Sequence, residues 1–283
     1  MRRVAAFPAP RGAARKEFEV TTFVVIVFPG DQQAPSGLQA LRALDADGVV
    51  TLYGAAVVQR DRDGRIDVQE HEAGVPAGVG VRAVVGGLLR SLASGAGAVP
   101  PAACGTSFEA MHELFGTRVA DGFLARVAKA LAPFTTAIVA EISEEWRKPL
   151  DASVHELGGV VVRERRDDSA DTQLQREFRI AQAESARLRA DLSTAQGDLA
   201  EIVQVAIGRA EAKVKALRDV ADARSRCLHE ETATRLRVLL EQRAAARVDG
   251  KARIEQRLAE MRADDLRRSA ALKPVHVAEA MSS

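Results

Sequence analysis

From Val20 the chain alternates between runs that are apolar at nearly every position and stretches where apolar residues recur every three or four. Val20 to Phe28 (VTTFVVIVF) is rich in β-branched residues and almost wholly apolar, the pattern of a strand buried on both faces. Pro29, Gly30 and Asp31 end it. Leu38, Leu41 and Leu44 then recur at helical spacing, with Gly48 just past the expected helix end. Val49 to Gln59 predicts a second strand, RDRDGR at Arg60 to Arg65 supplies Asp-Gly turn chemistry, and Ile66 to Glu70 alternates as an edge strand. The theme returns at Thr135 to Ile142 (TTAIVAEI), which opens with the same Thr-Thr pair as Thr21 and Thr22. Glu144 to Leu157 reads as a helix with Trp146, Leu150, Val154 and Leu157 on one face; Gly158 and Gly159 stop it, and Val160 to Val162 starts another strand. Even the endings agree, VVQRD at Val57 to Asp61 against VVRERRD at Val161 to Asp167. Two such halves predict an α+β domain over residues 19–167. The expected form is a ferredoxin-like βαβ repeat sheet, with helices on one face and the first strand of each half side by side at the centre.

A Gly/Ala-rich helical segment interrupts the halves. Between Gly74 and Cys104, Ala83, Gly87, Ser91 and Gly95 fall four apart, so a helix here offers a flat strip for close helix packing. A helix over Ser107 to Leu131 follows, with a break expected at Gly116 to Gly122. It has Phe108, Met111, Leu114, Phe115, Phe123, Leu124, Val127 and Leu131 available for burial.

Past Arg166 to Asp171 the pattern changes to a single period. Leu174, Phe178, Ala181, Ser185, Leu188, Leu192, Ala195, Leu199, Ile202 and Ala206 are spaced alternately four and three apart, a heptad seam. A one-residue shift at Val203 and Ile207 carries the seam on through Ala210, Val214, Leu217, Ala221 and Leu228. Leu236, Leu239, Leu240, Ile254, Leu258, Met261 and Leu266 resume it. No proline falls between Pro149 and Pro274, so residues 168–272 are expected to be a coiled-coil helical arm. A helix of eighty residues would be about 120 Å long and cannot hide such a stripe alone. The partner is either a second copy or a returning segment of this chain, with turns available at Gln196, Gly197 and Asp198 and at Asp249 and Gly250. A second copy is favoured, with Leu174, Phe178, Leu188, Leu192, Leu199, Ile202, Val214, Leu217, Leu228, Leu236 and Leu258 as the oligomer interface. Glu211 with Lys215, Glu231 with Arg235 and Asp264 with Arg268 read as exposed i,i+4 ion pairs.

Composition narrows the function classes. The chain has 283 residues, 40 Lys and Arg against 39 Asp and Glu, and 47% hydrophobic residues. That is enough apolar content for a core, with no global field directed at nucleic acid. Residues 1–18 carry Arg2, Arg3, Arg11, Arg15 and Lys16 beside Pro8 and Pro10 and read as a disordered basic arm; residues 273–283 read as a flexible tail. Cys104 and Cys227 lie far apart, which argues against a disulfide scaffold and for a reducing, cytoplasmic setting. The cysteine at 227 is expected to pack as a small hydrophobe near the seam. None of His71, His112, His155, His229 and His276 has a metal-binding companion one helical turn away. No phosphate-binding glycine loop or nucleophile elbow occurs. The expectation is therefore no catalytic residue, no cofactor and no metal.

TTFVVIVFPGD with the helix after it, AAVVQRDRDGRIDVQE, the glycine-rich middle and the closing LAPFTTAIVAEIS and LGGVVVRERR share their order with one known family. On these features residues 20–167 resemble the bacterial family of domain of unknown function 1269, often labelled a membrane protein of unknown function. That family typically has a longer glycine-zipper hairpin, which is shortened here and interrupted by Arg82, Arg90, Pro100 and Pro101. The resemblance implies no enzymatic residues. Together these features predict an oligomeric structural or interaction protein, an α+β head on a coiled-coil arm, with no specific nucleic-acid partner. The alternatives are a small-molecule sensor or cofactor-free enzyme using the sheet face or the cleft beside Gly86 and Gly87, and a peripheral membrane protein.

Overall fold

The computed structural model of the chain describes residues 21–30, 32–69, 78–93, 117–166 and 169–272. It is a mixed α+β molecule. The strands are β1 (Thr22–Pro29), β2 (Val50–Arg60), β3 (Ile66–Gln69), β4 (Thr135–Glu144) and β5 (Val160–Arg165). They form a five-stranded antiparallel sheet in the order β3-β2-β4-β1-β5. β1 and β4 lie side by side, flanked on both edges, which is why their central residues, Phe23 to Phe28 and Ala137 to Ala140, are apolar in unbroken runs and not at alternate positions.

Helices cover both faces. α1 (Gln33–Ala46) and α4 (Arg147–Glu156) bury Leu38, Leu41, Leu44, Leu150 and Val154 against Val24, Ile26, Phe28, Ile138 and Ile142. On the opposite face α2 (Val79–Ala93) and α3 (Thr117–Ala130) bury Val81, Val84, Leu88, Phe123 and Val127 against Phe23, Val25, Val58 and Val139. The expectation of helices on one face is thereby corrected: the inserted segment supplies the second layer, because strands apolar on both sides need a cover on both sides. Close backbone approach appears at Gly37, where an added Cβ would fall 2.4 Å from the Phe28 ring. In α2, Ala83 and Gly87 are buried and Ser91 is half-buried. Gly95 lies outside the described residues, as do Phe108, Met111, Leu114, Phe115, His71, His112, His276 and Cys104.

The remaining chain forms three helices, α5 (Ser169–Leu192), α6 (Asp198–Ala245) and α7 (Val248–Leu272). Gly197, at φ +58°, makes the first reversal. The second falls at Ala246 and Arg247; Asp249 and Gly250, expected there, stand inside the first turn of α7. α6 is the spine, 48 residues long, which is about 72 Å. α5 runs antiparallel along its first half and α7 along its second, so α5 begins where α7 ends. Gln175 of α5 donates to the Ala271 carbonyl of α7 across that meeting point.

Candidate functional site

The most concentrated chemistry lies where α6 and α7 meet the head. Glu141 sits in β4, 4% exposed, just past the apolar run Ala137 to Ala140. Its Oε1 accepts from Nε of Arg235 at 3.0 Å and also from Nη2. Arg235 lies 3.9 Å from Glu231 one turn earlier on α6, and Glu231 accepts from Nη2 of Arg166, the residue just after β5. Eleven residues before Arg235 along the same spine, a second cluster joins the three helices: Asp171 of α5 accepts from Arg224 of α6 at 2.9 Å and from Arg268 of α7 at 2.6 Å.

Burial and pairing pull these groups in opposite directions. Desolvation pushes the Asp171 carboxyl up, but the Arg268 and Arg224 guanidiniums outweigh it and hold the group below the ordinary carboxylate range. Glu231 is likewise held low against its own burial by Arg166 and Arg235. Burial, with Arg235 adding repulsion, pulls Arg166 down to about 10. For Arg235 the same burial penalty is exceeded by Glu141 and Glu231, which push it up. Nε and Nη1 of Arg166 are buried with no hydrogen-bond partner.

A polar clamp holds the other end of α6. Nε2 of Gln242 donates to the Asp45 carbonyl, Asp45 Oδ1 and the Val50 carbonyl at 2.7, 3.0 and 2.7 Å, while its Oε1 accepts from Thr51 at 2.8 Å. Arg257 of α7 donates to the Gly48 and Val49 carbonyls and to Thr51 Oγ1. Burial pushes Asp45 up despite the Leu52 amide and Arg257. Gly48, at φ +66°, approaches Gly250 so closely that a Cβ on it would lie 3.2 Å from the Gly250 Cα. Tyr53, Leu239, Ile254 and Leu258 complete the contact as an apolar cluster. The α6–α7 hairpin is thus bonded to the turn between α1 and β2.

Two clefts open on the head. One, of about 270 Å³, lies between α6 and the sheet and is lined by Tyr53, Gly78, Gly80, Glu141, Cys227, Glu230, Glu231, Thr234, Arg235 and Val238. Cys227 is an exposed free thiol there, which corrects the expectation of a buried small hydrophobe: it lies on the α6 face that lines this cleft. The other, of about 510 Å³, lies between α1 and the β2–β3 edge, lined by Ala34, Pro35, Leu38, Arg42, Val57, Gln59, Gln69 and Thr136. Gly86 and Gly87, beside which a cleft was expected, are both buried.

The seam residues divide. Phe178 packs on Ala221, with Leu174, Val214 and Leu217 around them. Leu228 and Leu258 are buried, Leu188, Leu192 and Leu236 half-buried. Leu199 and Ile202 are 58% and 66% exposed, as is Val205 beside them at 57%. The register shift explains this, because Ile207 and Ala210 are the residues α6 turns toward α5. Two of the expected surface ion pairs are used differently: Glu211 accepts from Arg189 of α5 and Arg268 binds Asp171, while Glu231 and Arg235 form part of the buried junction. His155 is exposed, and His229 lies 3.3 Å from Asp265.

Sequence reasoning missed Glu141, Arg166, Gln242 and Arg257. Only Glu141 carried a signal, a charge set between the apolar Ala140 and Ile142 of a buried strand. Among the described residues no group of three His, Cys, Asp or Glu side chains is placed to hold a metal ion, and no helix is long and apolar enough to cross a membrane. Compared with family models, curated proteins and solved structures, the chain shows no match to any of them.

Proposed function

We propose that this is a non-enzymatic structural or interaction protein that self-associates through the free end of its helical arm. The observation that carries this is an asymmetry of the arm. At the head, Gln242 and Arg257 are bonded and Leu239, Ile254 and Leu258 buried; at the other end Leu199, Ile202 and Val205 stand within two turns of one helix and all present apolar side chains to water, whereas the exposed Leu240, Val248 and Leu266 are spread over two helices. α5 and α6 alone give each helix only one covered face, and a second copy of the hairpin supplies the cover that this patch lacks.

Each of the three side chains would contribute about 1 to 2 kcal/mol on burial, so two copies gain about 6 to 12 kcal/mol. Association costs about 4 to 15 kcal/mol, which makes a weak, concentration-dependent dimer the expected form. Sedimentation equilibrium over about 10 to 500 µM tests this. The average mass should climb above 30.3 kDa with concentration, and the Leu199→Asp/Ile202→Asp/Val205→Asp variant should stay at the monomer mass. A wild-type chain that remains monomeric throughout overturns the reading.

Two finer assignments belong to the same proposal. The order β2-β4-β1-β5 with α1 and α4 on one face supports reading the head as ferredoxin-like, with β3 added at the edge and α2 and α3 inserted. That reading retains the family resemblance of residues 20–167. The packing of Phe178 and Leu174 on Val214, Leu217 and Ala221 supports an antiparallel coiled-coil hairpin.

A further inference from the structure

We propose that the cleft between α6 and the sheet binds a small primary ammonium with an apolar body. The cleft lies where one side of α6 passes over β2, β4 and the first turn of α2. Glu141, Gly80 and Tyr53 are buried at its floor, and Cys227, Glu230 and Thr234, three or four apart on α6, are exposed at its rim.

The floor holds an acceptor that the protein leaves unused. Nε and Nη2 of Arg235 both donate to Oε1 of Glu141, and no described group donates to its Oε2. An arginine fork on both oxygens would satisfy the carboxylate; two donors on one oxygen leave the other with its full accepting capacity. The backbone keeps that oxygen uncovered. Gly80 is required by the Phe23 ring, 2.6 Å from where its Cβ would be, and the same missing atom would stand 3.2 Å from Oε2; a Cβ at Gly78 would stand 3.9 Å from it. A buried carboxylate oxygen without a donor is uncommon, and this one belongs to a residue in the wall of a cleft.

Charge sets the sign of the ligand. Glu141 and Glu231 are matched by Arg235 and Arg166, whereas Glu230 at the rim has no partner among the described residues. The lining therefore carries one carboxylate in excess, and with a free acceptor beneath it the site favours a cation that donates hydrogen bonds. The Tyr53 hydroxyl is engaged by Ser143, so its ring and Val238 serve as apolar wall. A volume of about 270 Å³ holds one ring or a short chain, just below the range of about 300 to 1,000 Å³ usual for drug-sized ligands. This inference stands apart from self-association: Cys227 and Val205 are about 33 Å apart along α6.

Titration of the full chain with 2-phenylethylammonium, followed by calorimetry and ligand-observed NMR, tests it, with 2-phenylethanol as the uncharged control. The ammonium should bind saturably below about 1 mM and the alcohol about tenfold more weakly. Cys227 reports the place: its alkylation by iodoacetamide, read by peptide mass mapping, should slow severalfold at saturating ammonium. Glu230→Gln should weaken the ammonium about threefold and leave the alcohol unchanged. Gly78→Leu, whose Cβ sits at ordinary contact distance while the rest of the side chain fills the cleft, should weaken both about tenfold or more. Circular dichroism establishes that both variants fold. Absence of saturable binding by wild type overturns the proposal, as does equal binding of ammonium and alcohol, an unchanged Cys227 rate, or unchanged binding in both folded variants.

Discussion

Replacing Arg235 by Met tests whether the head and arm are joined by a buried ion pair. Arg235 and Glu141 are only 11% and 5% exposed in their side chains, and Arg235→Met keeps most of the stem that packs in the junction while removing the guanidinium. Glu141 is then a carboxylate in the interior of β4 without its cation. Removing one member of a buried pair costs about 3 to 5 kcal/mol, chiefly because the surviving charge is neither solvated nor paired. That is a large share of the 5 to 15 kcal/mol typical of a folded domain. Adding Glu141→Leu removes the stranded charge, and exchanging a buried pair for apolar groups is about neutral, so the double variant should return to within about 1 kcal/mol of wild type. Urea unfolding followed by far-UV circular dichroism measures all four corners of the cycle. A cost for Arg235→Met below about 1 kcal/mol, or a double variant less stable than either single one, refutes the reasoning.

Three further outcomes follow from the same geometry. Gln242→Leu removes the four hydrogen bonds that tie α6 to Asp45, Val50 and Thr51; since several of those partners keep a second bond, the urea-unfolding cost should be about 2 to 3 kcal/mol. Asp171 and Glu231 are held below their ordinary values of 3.8 and 4.5, so the stability they contribute is complete above those values and is lost as pH falls through the lower folded-state ones. Asp45, raised from 3.8, opposes them: its contribution is complete below 3.8 and is lost as pH rises through its higher folded-state value. Urea midpoints should fall on acidification below the Glu231 value, and Asp171→Asn should flatten that fall while lowering the midpoint at neutral pH. Gly37→Ala places a methyl 2.4 Å from the Phe28 ring and should cost about 1 to 3 kcal/mol by overpacking, read as a drop in thermal midpoint.

Legibility follows interaction range. β1 and β4 are readable because β-branched runs bounded by proline and glycine carry their own signal, and the Asp61 to Arg65 turn because Gly64 takes φ +80°. The reversal at Gly197 is visible for the same reason. The junction is not. Arg235 and Glu231 look like any exposed i,i+4 pair, and the Glu141 that changes their meaning lies 94 residues before Arg235. Gln242 reaches Val50 across 192 residues, and nothing in its helical surroundings distinguishes it from a solvated glutamine. The α1 cleft was legible only as a class of place, the sheet face, since an opening depends on which strands the helices leave uncovered.

Local patterns determined where the strands and most of the helices fall, because backbone preference and apolar period act within a few residues; they misplaced the second reversal of the arm, which falls at Ala246 and Arg247. Tertiary structure alone decided that helices cover the sheet on both sides, that most of the seam closes on its own chain while its tip stays bare, and that charged side chains are buried at the head. Those outcomes depend on what faces each surface after the chain has folded back, a quantity that no neighbouring residue encodes.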